Sequence, residues 1–134
     1  MADSIATQIA LGKTESVTAI VDDSNTAISM RSGSLPVFAT PSMIALMEQA
    51  ACACLLDCVD EGQTSVGIGI SVEHTAASPI DARISATATI ESVFGRKIVF
   101  TVTASDDTGE IGNGKHTRII VDTERFMKKI RPSL

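Results

Sequence analysis

The segment Met43-Ile-Ala-Leu-Met-Glu-Gln-Ala-Ala-Cys-Ala-Cys-Leu-Leu56 decides the fold, because only Glu48 and Gln49 in it are polar. A helix apolar on every face is expected to be buried, not to lie on a surface. Thr40 can cap it, Pro41 suits the first helical position, and Gly62 follows its end. These signals predict a helix from Pro41 to about Val59, close to ~27 Å long. An ionised carboxylate buried in such a helix is costly unless it is paired or hydrogen-bonded. Glu48 is therefore the residue that most needs a partner.

The flanks read as strands. Thr14 to Val21 is expected as one, Asp22 to Asn25 as its turn, and Thr26 to Met30 as a short second strand, followed by a Gly-, Ser- and Pro-containing loop to Pro36. After Gly62 the apolar period becomes two: Val66, Ile68, Ile70, Val72 and His74 fall on one face of a strand. Ser78 to Asp81 turns the chain, and Ile84, Ala86, Ala88 and Ile90 form the next alternating set. Phe94-Gly-Arg96 makes a hairpin, Ile98, Phe100, Val102 and Ala104 alternate again, and Asp106 to Gly109 is another tight turn. Glu110 to Asp122 is the last strand, with a helical tail over 123–130. Short connections imply an antiparallel sheet. A helix apolar all round requires that sheet to curl around it and something else, a partner subunit, to cover what remains. The expected class is α+β.

Composition bounds the function. At 134 residues, 44% hydrophobic and 20% charged, the chain is expected to be one globular domain over residues 1–134. No apolar run reaches the ~18 residues that span a bilayer. The N-terminal Met-Ala-Asp-Ser-Ile-Ala-Thr lacks the basic and apolar regions of a secretory leader, so a cytoplasmic location is expected. A net charge of −5 argues against nucleic-acid binding. The cationic clusters Arg96-Lys97 and Lys128, Lys129, Arg131 read as solvated surface, although a phosphate-bearing ligand could use one of them. Cys52, Cys54 and Cys58 have no histidine near them, so no metal site is expected, and they read as free buried thiols in a reducing compartment.

The ordered motifs resemble one family. Val37-Phe-Ala-Thr-Pro-Ser-Met-Ile-Ala-Leu-Met-Glu48, Ser65-Val-Gly67 and Val72-Glu-His-Thr-Ala-Ala-Ser-Pro79 are similar to the fluoroacetyl-CoA thioesterase-like family of hotdog-fold enzymes. Gly95-Arg-Lys97, Asp107 to Gly112 and Gly114-Lys-His-Thr-Arg118 extend the likeness over about residues 10 to 130. The resemblance implies a curved antiparallel sheet around one central helix, and a homodimer or dimer of dimers. It implies hydrolysis of acyl-CoA thioesters, with a short or small acyl group, by Thr40, Glu48 and His74, without a cofactor. It also implies a supporting backbone N–H at Gly67 and an auxiliary, substrate-binding Arg118. Ile68 stands where many relatives carry a polar residue, and Asp81 where a glycine is common.

Each residue also has a plainer role. Thr40 is an N-cap in any case, but a hydroxyl there sits beside free backbone N–H groups able to stabilise an oxyanion. Glu48 lies about 80° around and ~12 Å along the helix from Thr40, so the two are not automatic neighbours. His74 ends an apolar strand face and could be a satisfied core residue; the misplaced carboxylate makes Glu48–His74 the economical pair, as orienter and base. His116 and Arg118 share a face of the last strand; His116 is read as structural or at the rim, and Arg118 could hold a carboxylate or a CoA phosphate or cover the sheet edge. A hotdog dehydratase or hydratase, and a non-catalytic acyl-CoA-binding dimer, are the alternatives.

Overall fold

The computed structural model describes residues 9–131; the stretch read for a secretory leader lies outside them. The elements run β1 (Thr14–Ile20), α1 (Thr40–Leu55), β2 (Gln63–His74), β3 (Arg83–Phe94), β4 (Lys97–Asp106), β5 (Gly109–Asp122) and α2 (Thr123–Ile130). The five strands form one antiparallel sheet in the order β1-β3-β4-β5-β2. Both β1 and β2 are thus edges.

The alternating residues of β3 and β4 build the floor of the core. Ile84, Ala86, Ala88 and Ile90, with Ile98, Phe100, Val102 and Ala104, are all buried against Met43, Met47, Ala50, Ala51 and Cys54 of α1. Alanines on both sides let helix and sheet approach closely: the Cys54 thiol lies 3.4 Å from the Ala88 carbonyl oxygen. Burial pushes that thiol up to about 11, so it behaves as a small hydrophobe. Removing the Phe100 ring from this floor would cost about 3–5 kcal/mol.

Five expectations need correction. Thr26–Met30 is not a strand. Thr26 makes an isolated bridge to Phe38, and the chain then turns, with the Met30 N–H donating to the Thr26 carbonyl at 2.9 Å. Thr26 and Ser29 satisfy each other through side-chain and backbone bonds, and such local bonding competes with a ladder. The helix is shorter than read, ending at Leu55, and Ala39, not Thr40, is its N-cap residue.

The helix is also not enclosed. Met43, Leu46, Met47, Ala50, Ala51, Cys54 and Leu55 are buried, whereas Ala45, Gln49, Cys52 and Leu56 line an exposed stripe. A single open sheet covers only one side of a helix. Leu56 is 82% exposed.

Finally, β2 does not carry one continuous face. Its register against β5 shifts between Gly67 and Gly69, leaving Ile68 as an extra residue. Residues directly opposite in an antiparallel pair share a face. Val72, paired with Gly114, and His74, paired with Gly112, therefore point to the helix side, but beyond the bulge Gly67 and Ser65 do so instead of Val66. One inserted residue flips every side chain that follows it.

Candidate active site

Two clusters of polar side chains flank α1. The first lies at its N-terminus. Because Thr40 is not spent on capping, its hydroxyl is free to meet His74, with Oγ1 2.8 Å from Nδ1. His74 reaches it from the last residue of β2, and the two line a cleft of about 250 Å³ together with Val37, Phe38 and Ala76. Burial lowers the His74 pKa, while a contact with the Ala76 backbone acts in the opposite direction. Nε2 is buried without a well-formed hydrogen bond. With the ring proton on Nε2, Nδ1 can accept the Thr40 O–H. The first-turn N–H groups of α1, lacking intrahelical partners, open beside this pair.

The second cluster lies two turns further along. Arg118 on β5 donates from Nη1 to Glu48 Oε2 at 2.9 Å and to His116 Nε2 at 3.1 Å. It donates from Nε to Ser65 Oγ at 2.9 Å and from Nη2 to the Ser65 carbonyl at 3.1 Å. Such a fork holds a carboxylate in one orientation. Glu48 is 41% exposed at its side chain, not fully buried as its setting implies, and among the described residues its Oε1 takes no hydrogen bond. Gly67 is a glycine for a steric reason: a Cβ there would stand 2.7 Å from Glu48 Oε2. Glu48, Gly67, Gly69, Ile70 and His116 line a second cleft of about 260 Å³.

The expected residues are thus brought together in two groups, Thr40 with His74 and Glu48 with Gly67 and Arg118. The Glu48–His74 pair is not formed within the chain. Thr40 and Glu48 are separated by ~12 Å along the helix, and Gly67 and His74 by on the order of 20 Å along β2. Glu48 turns to Arg118 because β5 brings a guanidinium beside it. Arg118, whose role the residues alone left open between a carboxylate, a phosphate and the sheet edge, holds the carboxylate. Ser65 was missed, since only the bulge turns it inward. His116 sits deeper than a rim residue, at 2% exposed. Among the described residues no cluster of histidine, cysteine and acidic side chains could hold a metal ion, and no helix is long and apolar enough to cross a membrane.

Comparison with known proteins gives this geometry a context. Residues 21–124 match the model of the family described as fluoroacetyl-CoA-specific thioesterase. A fluoroacetyl-CoA thioesterase from Streptantibioticus cattleyicolor is 40% identical over 95 residues, covering 71% of this chain and 68% of the relative. The crystal structure of the fluoroacetyl-CoA thioesterase FlK superposes with a TM-score of 0.87 at 31% identity, over 93% of this chain and 97% of that one. A hot-dog-like protein from Thermanaerovibrio acidaminovorans superposes with a TM-score of 0.88 at 25% identity, over 96% and 95% of the two chains. The fold is the hotdog fold, and the relatives above whose activity is known are thioesterases, which favours hydrolysis over dehydration.

Proposed function

This chain belongs to the fluoroacetyl-CoA-specific thioesterase family and hydrolyses an acyl-CoA thioester, and from that premise we propose that its active site is assembled from two copies, Thr40 and His74 of one facing Gly67 and Glu48 of the other. The observation that carries this is the division of the site residues into two separate half-sites, each opening to a cleft.

The edge strand supports it. From Gln63 to Val72, β2 has no charge and no proline, the usual protections of a free edge. Ile68 is 55% and Ile70 41% exposed on it, beside the exposed Ala45–Leu56 stripe of α1. Two copies of β2 pairing antiparallel about a two-fold axis near Ile70 and Ser71 would set Gly67 of one opposite His74 of the other. The same contact covers the apolar stripe that one sheet leaves bare. Closure of the two clefts on each other gives a small enclosed acyl site, in keeping with a short acyl group, fluoroacetyl among those to be tried.

In the assembled site the thioester carbonyl oxygen is polarised by the first N–H groups of α1 and by the Gly67 N–H of the second copy. His74 takes the Thr40 proton at Nδ1, and the Thr40 oxygen attacks the carbonyl carbon; alternatively His74 activates a water for direct attack. The C–S bond breaks as the tetrahedral intermediate collapses, and CoA leaves as a thiolate that needs little acid assistance, the His74 proton passing to it or to solvent; on the covalent route His74 then activates a water that cleaves the Thr40 ester and releases the acid. Glu48, clamped through Oε2, presents Oε1 toward the reacting group or the attacking water. The cysteines Cys52, Cys54 and Cys58, all free, fit a cytoplasmic setting.

The test is complementation. Thr40→Ala and Glu48→Gln, each assayed for thiol release on acyl-CoA esters from acetyl to benzoyl, should each lose on the order of 10²-fold in kcat. Mixed and re-equilibrated, they form heterodimers with one intact site, and activity should return to about a quarter of wild type. A site built within one chain gives no recovery, because every subunit then carries a lesion.

A further inference from the structure

The imidazole of His116 plays no part in the chemistry above, yet it touches three pieces of the Glu48 half-site. From β5 it points inward, stacked on Phe100 of β4 with ring centroids 6.1 Å apart. Its Nδ1 lies 2.7 Å from the carbonyl oxygen of Gly69, the residue at which the β2 register resumes after the bulge. A carbonyl only accepts, so Nδ1 carries the proton and Nε2 offers a lone pair. Arg118 Nη1–H donates to that lone pair at 3.1 Å while also donating to Glu48 Oε2. Nε2 stands 3.6 Å from the same Glu48 oxygen, too far for a hydrogen bond. The shared guanidinium is what reconciles a lone pair and a carboxylate at that distance.

The charged groups facing the ring are Glu48 from α1 and Arg118 from its own strand; β2 and β4 contribute Gly69 and Phe100, which carry no charge. Burial lowers the His116 pKa, the Gly69 carbonyl raises it, and the first effect prevails. Gly67, whose backbone lies between the bulge and the carboxylate, is fixed from both sides: a Cβ on it would stand 3.2 Å from His116 Cε1 as well as against Glu48.

We propose that His116 is a positioning residue: with its proton on Nδ1 it pins the Gly67–Gly69 bulge of β2 and, through Nε2 and Arg118, sets the direction of the Glu48 carboxylate. It thereby couples an N–H donor and a carboxylate that come from different elements. This rests on the thioesterase reading above and deepens it. The relation is one-way: His116 touches neither substrate nor the reacting atoms, and acts only through what it holds.

The two bonds can be separated by substitution. His116→Phe keeps the ring and its stack on Phe100 but removes both polar contacts. His116→Asn places an amide N–H near the Nδ1 position and loses Arg118; His116→Gln reaches the Nε2 position and loses Gly69. Melting and circular dichroism establish which variants fold. The Phe variant should lose about 10- to 100-fold in kcat, with KM changed less than about threefold. Asn and Gln should each recover part of that loss. Folded Phe and Asn variants with wild-type kcat would overturn the proposal while leaving the thioesterase reading intact. An independent readout uses ¹⁵N-histidine NMR of the wild-type protein, where the His116 ring should appear as the Nδ1–H tautomer at pH 7. An Nε2–H tautomer or an imidazolium overturns the proposal whatever the activity. A wild-type protein that releases no thiol from any ester would instead sink the thioesterase reading, and the NMR result and the Gly67 and Gly69 amide shifts in the Asn and Gln variants would still decide the role of His116.

Discussion

The two half-sites are built differently. At the start of α1, Thr40 and His74 share one hydrogen bond, Thr40 is exposed, and the imidazole keeps a nitrogen without a good partner. Two turns on, Arg118 makes four hydrogen bonds to Glu48, His116 and Ser65 and is nearly buried. The first is a lightly tied pair in which a proton can move; the second is a clamp that holds a charge and a strand irregularity still. Division of labour of this kind is what a reaction needs when one group must change its protonation state and another must not shift.

The largest blow to the clamp should come from the smallest side chain. Gly67→Ala puts a methyl group where Glu48 Oε2 and Arg118 Nη1 already stand, at 2.7 and 3.3 Å. Turnover is expected to fall about 10- to 100-fold as the carboxylate is displaced, with the sheet intact because Ala is tolerated in a strand. A Gly67→Ala enzyme of wild-type kcat would mean that the carboxylate position is not critical, and the contrast between the half-sites would lose its meaning.

Acidification probes both sides at once. His74 and His116 have lowered pKa values, chiefly through burial. Each binds fewer protons in the folded than in the unfolded state below the ordinary value of about 6.5. The contribution of these two groups to stability should therefore be complete above that value and decline as pH falls below it. On the proposed mechanism His74 is the base, and the acid limb of kcat/KM should then have its midpoint below about 6.5. Melting temperatures that climb on acidification, or an acid limb centred near 8, would contradict this.

A residue outside both half-sites gives the smallest effect. Asp81 has φ of +77°, the left-handed region, which crowds an L side chain and not glycine. Asp81→Gly relieves the Cβ crowding but loosens the unfolded chain, so a net gain of up to about 1 kcal/mol is expected. The urea midpoint should rise slightly and kcat stay unchanged. A lower midpoint would show that the Asp side chain contributes something that its backbone angle does not reveal.

The sheet was legible because β3, β4 and β5 alternate strictly, and period-two burial needs no knowledge of the partner strand. The central helix was legible from its composition, though composition overstated its burial: an apolar stripe reads alike whether a sheet or a second subunit covers it. Thr26–Met30 was misread because local Thr–Ser bonding is invisible to hydrophobic periodicity. In the candidate site, Thr40, Glu48, Gly67, His74 and Arg118 were all singled out from their motifs. Their grouping was not, because one bulge at Ile68 reverses which residues of β2 face the helix.

Residue order alone determined the main element types, the antiparallel sheet around a helix, and the candidate side chains for chemistry, since propensity, period and motif are properties of the chain taken locally. Only the tertiary structure decided that Thr40 answers to His74 and Glu48 to Arg118 and His116. Strand register and helix rise set those distances, and both arise from contacts between segments far apart in the sequence.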